Sequence, residues 1–322
     1  MNNKILTQWS RMGPRAMFGQ FMIDIAKKNK DLMVISADLG RSSGLDRFKA
    51  TFPNKYLSVG ICEQNLIGIA SGLAREGYKV FITSFAPFLS MRASEHIRMN
   101  LGYMKHPVNI VALGSGLSMG FLGNSHFGLE DVSIMRTIPG LKIFSPADSL
   151  ELKKILFDLS NNKRGPSYVR LTGIPGSPIV YEKDYKYEFK KPNIISYGKD
   201  CLILSSGSVL GQVKIASNLL KKSNINPCII NVHTLKPLNT PFLKRYINKF
   251  KYIITIEEHT IIGGLNSLLS QNFIGEFRHN KKILNISLPD EFGPTGDYEY
   301  LLDYHGLSGK KIFKKIKNFL SN

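Results

Sequence analysis

The sequence predicts an α/β protein of two domains, each a mainly parallel sheet flanked by helices. Strand-length apolar runs alternate with stretches whose apolar residues recur at helical spacing, once before residue 173 and again after residue 193, the pattern of parallel sheets with covering helices. Between the two series lies IPGSPIVYEKDYKYEFKKPN, residues 174–193, where proline, glycine and alternating charge break both periods. A chain of 322 residues is long enough for two full cores. The expected division is residues 1–175, a linker over 176–192, and residues 193–322.

The elements follow in order. Met17, Phe18, Phe21, Ile25 and Ala26 give Pro14 to Lys28 a helical face, and Leu32 to Ala37 is a continuous apolar run of the kind a buried parallel strand shows. Tyr56 to Val59 reads as a short buried strand; Leu66, Ile67, Ala70, Leu73 and Ala74 read as a helix that Gly77 stops. Lys79–Phe85 and Val108–Leu113 are expected strands, with a helix from about Leu89 to Gly102 between them. Gly114 to His126, GSGLSMGFLGNSH, is a glycine-rich loop expected to be too polar and too flexible for the core. It is not a Walker loop, since no Gly-Lys-Ser/Thr follows. A helix is expected from Gly128 and a strand at LKIFSP; Asp148 and Glu151 have the spacing of a capping box at the start of the next helix. Gly165 to Gly173 gives the last strand of the first series. In the second series CLILSSGS, PCIINVHT, KYIITIEEH and KILNISLPD are the strands, and helices cover Leu210–Lys222, Pro241–Phe250 and a stretch from about Gly264.

Composition narrows the function classes. The longest apolar runs are far short of the ~20 residues a bilayer crossing needs, and MNNKILTQWSRMG lacks the apolar core of a signal peptide, so the expectation is a cytoplasmic chain with no membrane span. Cys62, Cys201 and Cys228 are too widely spaced for a disulfide framework or a zinc motif and read as reduced packing residues. The formal charge is +19, yet the lysines are scattered, and the one dense cluster, GKKIFKKIKNFL at 309–320, sets them opposite an apolar stripe of Ile312, Phe313 and Ile316. A nucleic-acid partner is therefore not expected, and attraction of anionic, phosphorylated substrates is the more economical use of the charge.

Glu63 is the residue of greatest chemical interest. It stands between an expected strand and an expected helix, at the rim of a sheet, where α/β proteins place ligands. A carboxylate there is either a favourable charge at a helix N-terminus or a catalytic group. The surrounding run FPNKYLSVGICEQNLIGIASGLAREG, residues 52–77, resembles the pyrimidine-binding domain of the transketolase family, particularly the C-terminal subunit of transketolases split into two chains. NVHTLKPLN and TIEEHTIIGGLNS resemble that family's C-terminal domain, so the likeness covers nearly the whole chain. It implies a thiamine diphosphate pyrimidine-binding fold followed by a transketolase C-terminal fold.

The resemblance also assigns residues. Glu63 matches the cofactor's activator, and Phe85 and Phe88, in the pattern SF-x-x-F, match aromatic residues stacked on the aminopyrimidine ring; ordinary core packing is their other reading. Met91 stands where a third aromatic residue often lies and can cover the ring edge. Asp38, in SADL, matches an Asp near the cofactor, or simply caps a loop. His126 matches a histidine facing the reacting carbons and is a catalytic and substrate-binding candidate. Arg170, in GPSYVRL, is either a grip for a sugar phosphate or a structural ion pair, and Arg92, in MRASEHIR, is either a substrate contact or a solvated helix residue. One departure is clear: where the family's loop usually reads G-E-D-G-x-x-H, Phe121 and Leu122 replace the acidic pair.

The sequence contains no G-D-G, the motif that recognises the cofactor's diphosphate and metal. The resemblance therefore implies an N-terminal partner subunit holding Mg2+ or a similar divalent ion, an α2β2-type assembly, and transfer of a two-carbon unit from a ketose to an aldehyde. Alternatives are the beta subunit of a 2-oxo acid dehydrogenase component and a non-catalytic binding protein of the same fold.

Overall fold

The structure, a computed structural model, describes residues 3–161, 165–277 and 281–321. Its strands are β1 (Leu32–Ser36), β2 (Tyr56–Ser58), β3 (Lys79–Phe85), β4 (Asn109–Leu113), β5 (Lys142–Phe144), β6 (Ser167–Leu171), β7 (Asn193–Ser196), β8 (Cys201–Ser206), β9 (Pro227–Asn231), β10 (Thr234–Lys236), β11 (Tyr252–Thr260) and β12 (Lys282–Leu288). They form two sheets. The first has the order β10-β5-β6-β4-β3-β1-β2 and the second β12-β11-β8-β9-β7. Every pairing is parallel except β10 on β5 and β7 on β9. The two-domain α/β expectation is what the structure shows, with one addition: β10 comes from the second half of the chain and completes the edge of the first sheet.

Continuous apolar runs became central strands because both faces are covered. In β4, Ile110, Val111, Ala112 and Leu113 are all fully buried, and the helices Asn3–Ala26 and Ser149–Asn161 pack against each other on one side of this sheet. The first of these helices carries a break at Gly13, whose φ of 80° no interior helical residue adopts, followed by Pro14. Residues 174–192 contain no helix or strand, yet they are anchored: Asp148 Oδ2 accepts hydrogen bonds from the Val180 and Tyr181 amides, and Glu151 Oε1 accepts from the Tyr181 and Tyr185 hydroxyls. Asp148 also caps its helix by accepting from the Glu151 amide, while Glu151 reaches back to the Ala147 amide rather than to that of Asp148, a capping box displaced by one residue. Burial pushes the Asp148 carboxyl up to about 6.

Three local expectations are corrected. The strand at Tyr56 is not buried: β2 is the outer strand of its sheet, and Leu57 is 37% exposed. The expected helix from Leu89 to Gly102 is a wide-turned segment over Phe88–Arg92, a short α-helix over Ser94–Ile97, and a second wide turn over Arg98–Tyr103. Its amides of Ala93 and Met104 bond five residues back, to Phe88 and Met99. The glycine-rich loop is not a free polar loop. Gly114 to Gly120 are buried, Gly116 exchanges two backbone bonds with Gly128, and the Leu117 amide donates to Glu258 Oε1 at 2.7 Å across the domain junction.

Arg170 lies buried at the junction. Its side chain is 2% exposed, and Nε donates to both oxygens of Asp131, at 2.8 and 3.0 Å, while Nη2 reaches the Glu258 carbonyl of β11 at 3.3 Å. The structural ion pair, one of the two sequence readings, is present in the geometry, and Arg170 also lines a cavity with Thr172 and Ser208. Removing one partner of a buried pair leaves the other uncompensated, so Arg170→Met should lower unfolding free energy by about 3–5 kcal/mol. Urea titration checks it; a loss below about 1 kcal/mol, the range of surface pairs, would show that the fold does not depend on this pair.

Candidate active site

The candidate residues gather at the carboxyl ends of neighbouring parallel strands, the edge where open α/β sheets take ligands. Asp38 follows β1, Glu63 follows β2, Phe85 ends β3 with Phe88 just beyond, and the glycine-rich loop leaves β4 and returns with His126. Gly60, at a φ of 77°, turns the chain out of β2 so that Glu63 opens the helix Glu63–Arg75. That places a carboxylate in the first turn, where the helix dipole favours it.

Glu63 is 1% exposed. Oε1 accepts from the Ser84 hydroxyl of β3 at 2.9 Å, and Oε2 accepts from Arg92 Nη1 at 2.9 Å. The Arg92 side chain is 46% exposed, and its guanidinium carbon lies 4.3 Å from the centre of the Phe88 ring. Phe85 and Phe88 meet edge to face with centroids 6.1 Å apart. The His126 ring stands edge-on to both, at 5.4 Å and 5.2 Å, and its Nδ1 is within 2.9 Å of the Ser125 hydroxyl. Five candidates thus form one cluster: Glu63, Arg92, Phe88, Phe85 and His126. Met91 is exposed beside it, and so is Asp38, which holds a φ of 56° uncommon for a side chain of this type. Arg170 stands apart, within the junction.

The same loop brings Phe121 and Leu122 to the surface, 66% and 41% exposed. Ile61 and Met91, which neighbour Glu63 and Arg92 in the chain, are also exposed. Ser84 was not anticipated. Its signal was available: β3 buries Val80 and Ile82 on the face toward the Glu63 helix, and Ser84 is the one polar residue ending that row.

Fold and site together define a class, and comparison with known proteins agrees. The family description "Transketolase, pyrimidine binding domain" matches residues 11–173, and "Transketolase, C-terminal domain" matches residues 190–312. The chain belongs to the transketolase family. More particularly, it is similar to single subunits of divided enzymes. A Methanocaldococcus jannaschii protein provisionally described as a transketolase C-terminal section is 36% identical over 94% of this chain and 95% of its own length. A 6-deoxy-6-sulfo-D-fructose transketolase subunit of a Clostridium species is 31% identical over 93% of this chain and 92% of its own. A 1-deoxy-D-xylulose-5-phosphate synthase of Dictyoglomus thermophilum is 34% identical, but this chain spans only 49% of it. Among solved structures, one described as a split gene transketolase, inactive beta4 tetramer, superposes with a TM-score of 0.86 at 30% identity, covering 96% of this chain and 98% of that one.

Proposed function

We propose that this chain is the C-terminal subunit of a two-chain, thiamine diphosphate-dependent transketolase-like enzyme. It would transfer a two-carbon ketol unit from a ketose to an aldehyde. The observation that carries this reading is the buried Glu63 carboxylate beside the Phe88 face, with a planar nitrogen group, the Arg92 guanidinium, already lying across both. A flat ring bearing nitrogen fits the same two contacts, which is what the aminopyrimidine of thiamine diphosphate offers.

In this reading Glu63 holds a proton at the pyrimidine nitrogen, and Phe85, Phe88 and Met91 enclose the ring, with Asp38 at the adjoining strand end. Bound cofactor supplies a carbanion and an electron sink for carbon–carbon cleavage. His126, fixed by two phenylalanine rings and Ser125, orients the donor carbonyl or moves a proton there. The diphosphate and Mg2+ are assigned to a separate N-terminal subunit in an α2β2-type assembly. Two features support that assignment: the sequence has no G-D-G, and Ile61 and Met91, neighbours in the chain of Glu63 and Arg92, are exposed apolar residues that suit a covering chain. If it is right, the isolated chain binds thiamine diphosphate and Mg2+ weakly by calorimetry, and adding the partner subunit restores tight binding; tight binding by the chain alone would exclude the two-chain reading.

Glu63→Gln preserves size but cannot serve as the acid. Activity of the reconstituted complex should fall on the order of a hundredfold or more, with assembly intact. Near-normal exchange of the cofactor's C2 proton in that variant would remove Glu63 from the mechanism.

The substrate is proposed to be a specialised sugar. Phe121 and Leu122 set an apolar wall where the acidic pair usually stands, and an unpaired substrate hydroxyl against it would cost roughly 1–3 kcal/mol. A donor or acceptor that lacks that hydroxyl, or turns another face there, is favoured, and the name of the Clostridium relative, a transketolase subunit for a sulfonated deoxy sugar, supports such a divergence. Leu122→Asp should raise kcat/KM for xylulose 5-phosphate with ribose 5-phosphate. An ordinary transketolase rate on that pair by the unaltered complex would sink the proposal.

A further inference from the structure

The Arg92 contacts carry a consequence for how the cofactor enters, which rests on the functional reading above. The guanidinium occupies both places an aminopyrimidine requires: it lies 4.3 Å from the centre of the Phe88 ring and donates to Glu63 Oε2 at 2.9 Å. Two planar groups cannot stack on the same face of Phe88. One member of the contact has to move.

The structure identifies which one. Glu63 is 1% exposed, begins a helix and is held on its other oxygen by Ser84 of β3, so it is fixed by burial and by a second hydrogen bond. Phe88 is anchored between Phe85 and His126. Arg92 is half in solvent on a long, flexible side chain. Local backbone explains why it is there: in the wide turn Phe88–Arg92 the Ala93 amide bonds back to Phe88, five residues away, and the turn brings Arg92 over the ring of Phe88.

We propose that Arg92 is a displaceable stand-in for the aminopyrimidine. It keeps the buried carboxylate partnered, since an unpaired buried charge is strongly unfavourable, and it covers the aromatic face until the ring of the cofactor takes both contacts. Arg92 then swings outward through its exposed side and leaves its positive charge at the mouth of the site. Cofactor binding competes with this internal contact, so the apparent affinity is lower than the intrinsic affinity by the fraction of chains whose site is open.

The test is calorimetric binding of thiamine diphosphate with Mg2+ to the reconstituted complex, for the unaltered chain and for Arg92→Met. The variant should bind on the order of tenfold more tightly, because the competitor has been removed. Equal or weaker binding by the variant, with the unaltered complex binding normally, overturns the stand-in and leaves the functional reading intact. Failure of the unaltered complex to bind thiamine diphosphate at all overturns both. Should Arg92→Met not assemble, a crystal structure of the unaltered complex with thiamine diphosphate decides: the guanidinium is expected beyond hydrogen-bond reach of Glu63, and a retained Arg92–Glu63 contact refutes the proposal.

Discussion

The molecule depends on what is done with charge removed from water at the meeting of its two sheets. Asp131 accepts from Arg170, Tyr168, Ser115 and its neighbour's amide, a full complement for one carboxylate. Arg170 extends the set to the Glu258 carbonyl, and the Glu258 carboxylate takes the Leu117 amide on one oxygen and Tyr298 and Ser208 on the other. Two of these contacts cross between the halves of the protein, Arg170 to the Glu258 carbonyl and the Leu117 amide to the Glu258 carboxylate. A network of this kind is useful only when complete, since any missing member leaves a polar group unsatisfied in a low-dielectric interior. It ties the glycine-rich loop to the second domain through the Leu117 amide, while His126 at the loop's end packs on Phe85 and Phe88 of the first.

Glu63 is handled differently. It too is a buried carboxylate, but one of its partners is half in solvent, so its local environment can be exchanged without disturbing the core. The contrast separates structure from chemistry. Asp131 and Glu258 are surrounded by groups that cannot leave; Glu63 is backed by one that cannot and faced by one that can.

The parallel sheets and their order of elements were legible in the sequence because buried strands must be apolar on both faces and helices on one. The cluster of Glu63, Phe85, Phe88 and His126 was legible through motif likeness together with position at strand ends. What escaped was decided by distant partners. Arg170 could be read two ways because Asp131 lies far off in sequence and only the fold brings them together. The loop Gly114–Gly120 looked polar because its glycines and serines carry no sign of the Glu258 carboxylate that binds it. The broken helix after Phe88 escaped because an added residue in one turn leaves no compositional mark. β2 was misread because an apolar residue at an outer strand resembles one at an inner strand until its neighbours are known.

Strand β10 has a consequence for how the chain reaches this state. Residues 234–236 close the β5 edge of the first sheet by antiparallel pairing, although some 90 residues of chain separate them from β5. During synthesis the N-terminal sheet must wait with that edge open until β10, about a third of the way into the second domain, has been made, and an unpaired edge is a template for association with other chains. The first 175 residues expressed alone would carry the β5 edge unpaired.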